Sequence, residues 1–288
     1  MEWLSIIVQG TLLGGLYAMF AIGLALSFGV MRLVNIAHGD LIILAAYVAL
    51  SVVDALHIHP LVSLTIVAPV MAVFGYVLQR GVLNSVIGPD ILPPVLVTFG
   101  FSIIIQNVLL QVYSADARRL QAGWIETASI PLGGGLAAGV LPIVMFISAI
   151  AVIAALQLLL TRSEIGRSFR AASDDPVTAA IMGIDTRHVY ALAMAIALAV
   201  AAIAAVFLTI RATFDPAAGP VRLLFAFEAV IIGGMGSLWG TLAGGIILGI
   251  AQSIGAQFNT NAQILAGHIV FLLILLLRPE GLFPKTRD

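Results

Sequence analysis

Ionisable side chains are scarce in this chain, so each one inside an apolar run stands out. Glu228 lies six residues after Arg222 and five before Gly233, among Leu, Phe, Ala, Val and Ile. Exposing a carboxylate to lipid costs several kcal/mol, which makes such a group a functional candidate by default. Two roles are open to it: a pathway or hinge group, or a structural acid paired near the interface. His38 and Asp40 close the segment Asn35-Ile-Ala-His-Gly-Asp40. Asp40 is placed to cap a helix running from Leu41 onward. His38 fits a helix end and a functional role equally well. His268 reads as a packed polar residue. The other polar groups at membrane depth are Gln106, Asn107, Gln111, Gln157 and Gln252. These side chains do not make the chain of ionisable partners that a proton relay needs, which argues against proton-driven transport.

Hydrolytic chemistry has no sequence support. There is no His-Glu-x-x-His zinc motif and no Gly-x-Ser-x-Gly nucleophile elbow. The glycines around Gly234 are not followed by the Lys-Ser/Thr of a phosphate loop. With no cysteine, disulfides and thiolate metal sites are excluded. No enzyme activity, metal or cofactor is expected of the chain itself.

The elements that must position these residues are membrane helices. Of the 288 residues, 61% are hydrophobic and 9% charged, whereas a soluble domain carries about 25% charged residues. A net charge of −1 offers no electrostatic footprint for nucleic acid. The first residues lack the basic region of a cleavable signal and are read as part of a span. About 20 apolar residues cross a bilayer as a helix. Spans are expected at 4–31, 41–53, 61–79, 95–113, 141–160, 189–210 and 263–277. The run 223–258 is broken at Gly233-Gly-Met-Gly236 and reads as a hairpin folded at the glycines. The count is eight or nine segments in an all-α polytopic bundle with broken or re-entrant helices, one transmembrane domain over 1–288.

Two breaks resemble each other: 28–40, with Asn35 and His38, and 230–237, with Gly233, Gly234 and Gly236. Paired interruptions in the two halves of a transporter point to its transport path, and ordinary interfacial turns are the alternative. These residues and Glu228 are the path or hinge candidates. Gly236, Gly240 and Gly244 repeat every four residues, as do Gly245 and Gly249 on a neighbouring face, and Gly10 and Gly14 near the start. Small-residue stripes let helix backbones touch in lipid, inside one subunit or between two.

The longest polar interruption is 161–188. Ile165, Phe169 and Ala172 share one face of a first short helix. Asp175 can cap a second helix beginning at Pro176, and Gly183 can end it in a left-handed turn. Val177, Ala180, Ile181 and Ile184 form an apolar stripe along it. Such a helix either lies on lipid headgroups or is presented to a partner. With this loop inside, nine Lys and Arg are cytoplasmic: Arg32, Arg80, Arg162, Arg167, Arg170, Arg187, Arg278, Lys285 and Arg287. Four are outside: Arg118, Arg119, Arg211 and Arg222. The excess predicts the N-terminus out and the C-terminus in.

The segment Gly23-Leu-Ala-Leu-Ser-Phe-Gly-Val-Met-Arg-Leu-Val-Asn-Ile-Ala-His-Gly-Asp40 resembles the hallmark of branched-chain amino acid ABC transporter permeases, the shorter of the two paired permeases. Glu228–Gly245 and the ending Arg278-Pro-Glu-Gly-Leu-Phe283 are similar to the same family, as are Gly166-Arg167, Arg170-Ala171 and Ala179-Ala-Ile-Met-Gly-Ile184. The likeness covers nearly the whole chain. The Glu-Ala-Ala motif of other ABC permeases is matched only by Ala179, Ala180 and Gly183, with no Glu before them. The resemblance implies an inner-membrane importer with a homologous second permease, two ATPase subunits that bind the ATP, and a periplasmic substrate-binding protein. Gly166, Arg167, Arg170, Ala179, Ala180 and Gly183 would then couple to the ATPase. Arg118, Arg119 and Trp124 would face the binding protein. Relatives of this kind also carry urea, short amides or aromatic acids. A stand-alone carrier or channel, and then a membrane enzyme, against which the missing catalytic motifs count, are the remaining alternatives.

Overall fold

The structure is a computed structural model that describes residues 2–88, 90–133, 136–259 and 261–283. Lys285 and Arg287, counted among the cytoplasmic charges, lie outside the described residues. In chain order the helices are α1 (Glu2–Met31), α2 (His38–Leu56), α3 (Pro60–Gly81), α4 (Leu92–Tyr113), α5 (Trp124–Thr127), α6 (Val140–Arg162), α7 (Glu164–Asp174), α8 (Pro176–Ile181), α9 (Thr186–Arg211), α10 (Gly219–Gly233), α11 (Leu238–Phe258) and α12 (Ala262–Leu277). A small antiparallel hairpin, β1 (Ser129–Gly133) with β2 (Leu136–Gly139), precedes α6. Seven helices, α1, α2, α3, α4, α6, α9 and α11, are long and apolar enough to cross a bilayer. With the 15-residue α10 and the 16-residue α12, nine apolar helices stand among the described residues.

Composition decides which helices sit in the middle. α9 is rich in alanine, and Ala191, Ala193, Ala197, Ala201, Ala204 and Ala205 are fully buried. α1 buries most of its length beside it. Small side chains bring backbones together, which supplies packing where lipid offers no hydrophobic driving force. The Gly stripes act inside this chain. Cβ atoms added at Gly10 and Gly14 of α1 would lie 2.6 and 2.5 Å from the α11 backbone at Ile250 and Ile246. α3, α4, α6 and α12 instead turn Val, Leu and Ile outward, as lipid-facing helices do.

The helices form an inverted repeat, with α1–α4 matched by α9–α12. α1 packs on α11 as α3 packs on α9, α10 meets α1 as α2 meets α9, and α4 follows α2 as α12 follows α10. The deciding detail is at the starts of α2 and α10. After Met31 the chain turns at Arg32, with φ 52°, and runs back into the bundle. His38 Nε2 donates to Phe20 O at 2.8 Å. Phe20 is eleven residues before the end of α1, about 16 Å at 1.5 Å per residue, so α2 starts at mid-depth. Asn35 Oδ1 accepts from Ala37 N at 3.0 Å, and Asn35 O accepts from His38 N. The same Asx turn recurs 180 residues later: Asp215 Oδ1 accepts from Ala217 N at 2.9 Å, and Asp215 O accepts from Ala218 N. The sequences Asn35-Ile-Ala-His-Gly39 and Asp215-Pro-Ala-Ala-Gly219 share Ala and Gly at matching places. The counterpart of the 32–37 break is therefore 212–218. The Gly233–Gly236 turn, expected as the match, joins α10 to α11 instead.

The two half-helices cross at these glycines. A Cβ on Gly39 would lie 2.0 Å from Gly219 O, and one on Gly219 would lie 2.9 Å from Asp40 Cα. No larger residue fits either place without parting the backbones.

Candidate functional site

Three places carry the polar side chains: the crossing of α2 with α10, a cluster around Glu228, and the loop 161–188. At the crossing, Asp40 is not a helix cap. α2 begins two residues earlier, with Ala37 as its N-cap and no side-chain cap bond, so Asp40 falls within the first turn. Its carboxylate reaches α4 instead. Ser102 Oγ donates to Oδ2 at 2.6 Å, and Gln106 Nε2 donates to Oδ1 at 3.0 Å. Both oxygens are satisfied, and the pair ties α2 to α4.

The other half has Pro220 at the place of Asp40 and sets its carboxylate further along α10, less completely bonded. Glu228 of α10 is 1% exposed, and His268 Nδ1 of α12 bonds its Oε1. Glu228 Oε2 has no partner among the described residues. Nearby, Tyr17 Oη donates to Gln252 Oε1 at 2.5 Å, and the Tyr17 ring packs on Phe225 with centroids 5.0 Å apart. Gln252 Nε2 and Arg222 Nε are also buried without partners. Each such atom costs about 1–3 kcal/mol relative to a satisfied one. Three of the six orphaned buried atoms among the described residues thus gather here. Arg222, expected in an external turn, lies inside α10 one turn from its start. A cavity of about 470 Å³ lies beside the cluster, between the ends of α1, α9, α11 and α12 farthest from the 161–188 loop. Gln9, Arg211, Ser253, Gln257 and Gln263 give it a polar lining.

The loop folds into α7 and α8. Ser163 Oγ caps α7 by accepting from Gly166 N at 3.0 Å. Gly166 is seated on the end of α6, where a Cβ would lie 2.2 Å from Leu160 O. Phe169 and Ala172 are buried, while Ile165, expected on their face, is 39% exposed. Asp175 caps α8, accepting from Val177 N at 3.0 Å and Thr178 N at 3.2 Å. The Thr178 hydroxyl adds a bond to the other oxygen, and together these hold the carboxyl below the usual carboxylate range. Asp185 caps α9 by accepting from His188 N, which lowers its pKa in the same way, with Arg80 3.7 Å away. Gly183, at φ 89°, turns the chain between them. Ala179 faces inward, Ala180 is exposed, and Val177 and Ile181 are 68% and 79% exposed.

The family model for the branched-chain amino acid transport system permease component matches residues 6–277. The chain belongs to this family. It is 29% identical over 298 residues to the high-affinity branched-chain amino acid transport system permease protein BraD of Pseudomonas aeruginosa, covering 99% of this chain and 96% of that relative. It is 29% identical to the permease protein LivH of Escherichia coli K12, covering 96% of this chain and 94% of that one. A second permease protein of that organism, LivM, is 29% identical over 133 residues, 44% of this chain and 30% of LivM. No solved structure matches the chain. The chain is thus a multi-pass membrane protein of a permease family.

For this permease, the residues singled out in the sequence fall into separate places. Asn35 and His38 sit at the start of α2, both buried, with Asn35 Nδ2 unpartnered. Gly233 packs on α11, where a Cβ would lie 2.1 Å from Gly240 O. Gly234 and Gly236 take positive φ in the turn that follows, on the side of the molecule where α1 ends. Arg167 is exposed beside Glu164, and Arg170 donates to Leu160 O, bracing α7 on α6. Arg119 is held by Glu126 and by Ile210 O, while Trp124 stands free at 68% exposure. Tyr17, Arg211 and Gln9 lie at the cluster and its cavity without having been expected there from the sequence. The available signal was a polar or basic residue near the end of each of two apolar helices. The pairing of Glu228 with His268 spans 40 residues and has no local signature.

Proposed function

We propose that residues 1–288 form one transmembrane permease domain of an ABC importer, translocating branched-chain or related hydrophobic amino acids across the bacterial inner membrane. The chain is not an enzyme, and ATP is hydrolysed on separate subunits. The single observation that carries the driven mechanism is α8. It is short, capped at Asp175 and bounded by the φ-positive Gly183, and it holds Val177, Ile181 and Met182 away from its own protein. An apolar ridge of this kind, on a polar loop, fits the groove of a soluble partner. The loop connects directly to the bundle. Ser173 Oγ donates to Gly29 O at 2.8 Å, and Arg32 reaches Ser173 O, so α7 is tied to the end of α1 where the chain turns back toward mid-depth. Closure of two ATPases would move this handle and, through it, the half-helices, a rigid-body switch between outward and inward access.

The partners follow from the same reading. One organism carries two permease proteins similar to this chain and named for one transport system, which favours a heterodimer with a homologous second permease. Arg32, Arg80, Arg170 and Arg187 gather at the loop face, while Arg118, Arg119 and Arg211 lie at the other, so the loop side is cytoplasmic, the N-terminus out and the C-terminus in. The exposed Trp124 and Arg118 would then meet a periplasmic binding protein.

The test is reconstitution with the second permease, two ATPases and the binding protein. Labelled leucine should enter liposomes only with ATP. Uptake of urea or an aromatic acid in its place would move the substrate to the family's other cargoes. Substrate flux through the chain alone, without ATPase, would make it a carrier or channel.

A further inference from the structure

The cluster around Glu228 has an unusual inventory of unmet bonds. Among the described residues, Arg222 Nε and Gln252 Nε2 are donors without acceptors, and Glu228 Oε2 is an acceptor without a donor. Glu228 and Gln252 are each 1% exposed, so bulk water does not supply the missing partners. Arg222, Phe225 and Glu228 follow one another at intervals of three along α10, so they occupy neighbouring turns. Tyr17, packed on Phe225 and bonded to Gln252, joins them to α1 and α11. The polar cavity is one turn away. Leu13 and Ala256 line it, and Tyr17 and Gln252 sit four residues further in along the same helices, about 6 Å deeper. Arg211 lines the cavity itself.

We propose that this cluster is a substrate subsite that takes the charged end of a free α-amino acid on its way through the permease. The inference rests on the importer reading above and adds a place and a chemistry to it. A carboxylate accepts from Arg222 Nε and Gln252 Nε2, with Arg211 drawing it in from the cavity. The ammonium donates to Glu228 Oε2, while His268 holds the other oxygen and fixes the carboxylate's orientation. Two donors and one acceptor match a zwitterion. An amine alone or a carboxylate alone leaves at least one buried group unpaired, and that penalty is what makes polar sites selective. Apolar neighbours, Phe225 with Ile6 and Leu13 at the cavity, suit an aliphatic side chain. Glu228 is a binding residue here, and His268 a positioning residue.

The experiment uses the full complex in liposomes and the purified permease pair in detergent. Thermal shift of the pair is measured with leucine, with isopentylamine, which lacks the carboxylate, and with 4-methylpentanoate, which lacks the amine. Leucine alone should raise the melting temperature of the wild type, and the shift should vanish in Glu228→Gln and in Arg222→Met. In liposomes both variants should lose about tenfold or more in maximal leucine uptake. The KM should hold, because capture is done by the binding protein. Glu228→Gln keeps the side chain's shape, and membrane abundance with co-purification of the partners reports its folding. Variants that are normally assembled, with wild-type uptake rates and no change in thermal shift, overturn the subsite and leave the importer reading standing. A wild-type complex that takes up no leucine overturns the importer's substrate instead. In that case the subsite stands if another α-amino acid protects the wild type but not Glu228→Gln, and falls if none does.

Discussion

The two halves of the permease use one backbone plan for different chemistry. Each half sends a helix from mid-depth to one face, begins it after an Asx turn with the shared Ala and Gly, and sets a carboxylate on it against a polar residue of a later helix. In the first half Asp40 is fully bonded by Ser102 and Gln106. In the second half Glu228 is bonded on one side only, with unpaired donors of Arg222 and Gln252 in the same cluster. A closed polar pair in a membrane is a fastener, because each bond relieves a desolvation cost. An open one leaves that cost in place, and a site that binds something is where it is recovered. On the subsite proposal, this contrast separates a structural polar group from a working one, at different places along the two half-helices.

The largest effect should come from breaking the plan that both halves share. Gly39→Leu or Gly219→Leu forces α2 and α10 apart, and either should remove most of the protein from the membrane fraction on immunoblot. Wild-type abundance of Gly219→Leu would mean that the half-helices do not cross there. Next is a change outside the repeat. Ile181→Asp on α8 should abolish ATPase co-purification and ATP-linked uptake while shifting stability by no more than about 0.5 kcal/mol, since the side chain is 79% exposed.

The third prediction sets the halves against each other. Asp40→Leu strips Ser102 and Gln106 of their acceptor and should destabilise by about 1–3 kcal/mol, read as a lower melting temperature in detergent. Glu228→Leu, which also removes an unpaired oxygen, should cost less stability and more uptake. The reverse ranking would erase the distinction between fastener and site. Tyr17→Phe loses one hydrogen bond to Gln252, worth about 0.5–1.5 kcal/mol, and should slow uptake modestly. The smallest effect concerns pH at the loop. Asp175 and Asp185 have lowered pKa values because N–H and hydroxyl groups bond their ionised forms. Their capping contribution is present above the unfolded carboxylate value, about 3.9. It is lost only as pH falls through the lower folded value. ATPase association measured by co-purification should therefore be flat from about pH 8 to 5.

Much of this architecture is legible in the sequence because lipid writes it in simple terms. Apolar runs, Pro and Gly breaks and the Asp175-Pro176 cap give α1, α3, α4, α6, α8, α9 and α12 to within a few residues of their ends. The 32–37 break is visible because polar Asn35, His38 and Asp40 interrupt a long apolar region. Its partner at 212–218 is disguised, since Asp215-Pro216 and Arg222 look like an ordinary external turn and hydropathy does not report depth. Asp40 misleads for a related reason. A carboxylate before an apolar run reads as a cap, yet the helix starts earlier at His38 and the side chain finds Ser102 instead. Glycine stripes say that backbones touch but not which ones, and only the packing of Gly10 and Gly14 on α11 assigns them within the chain. Glu228 and His268 belong together only after α10 and α12 are laid side by side.

The last described residues close back on the bundle. Leu282 N donates to Ile232 O and Phe283 N to Gly233 O, answering carbonyls that α10 leaves bare where it stops. Gly281 allows the approach, since a Cβ there would lie 2.5 Å from the Gly234 backbone. The short Arg-Pro-Glu-Gly-Leu-Phe ending is thus a latch on the helix that holds Glu228. A purification handle or fluorescent fusion joined at Leu282 would pull that latch open and disturb transport, whereas one spaced beyond residue 283 would leave it shut.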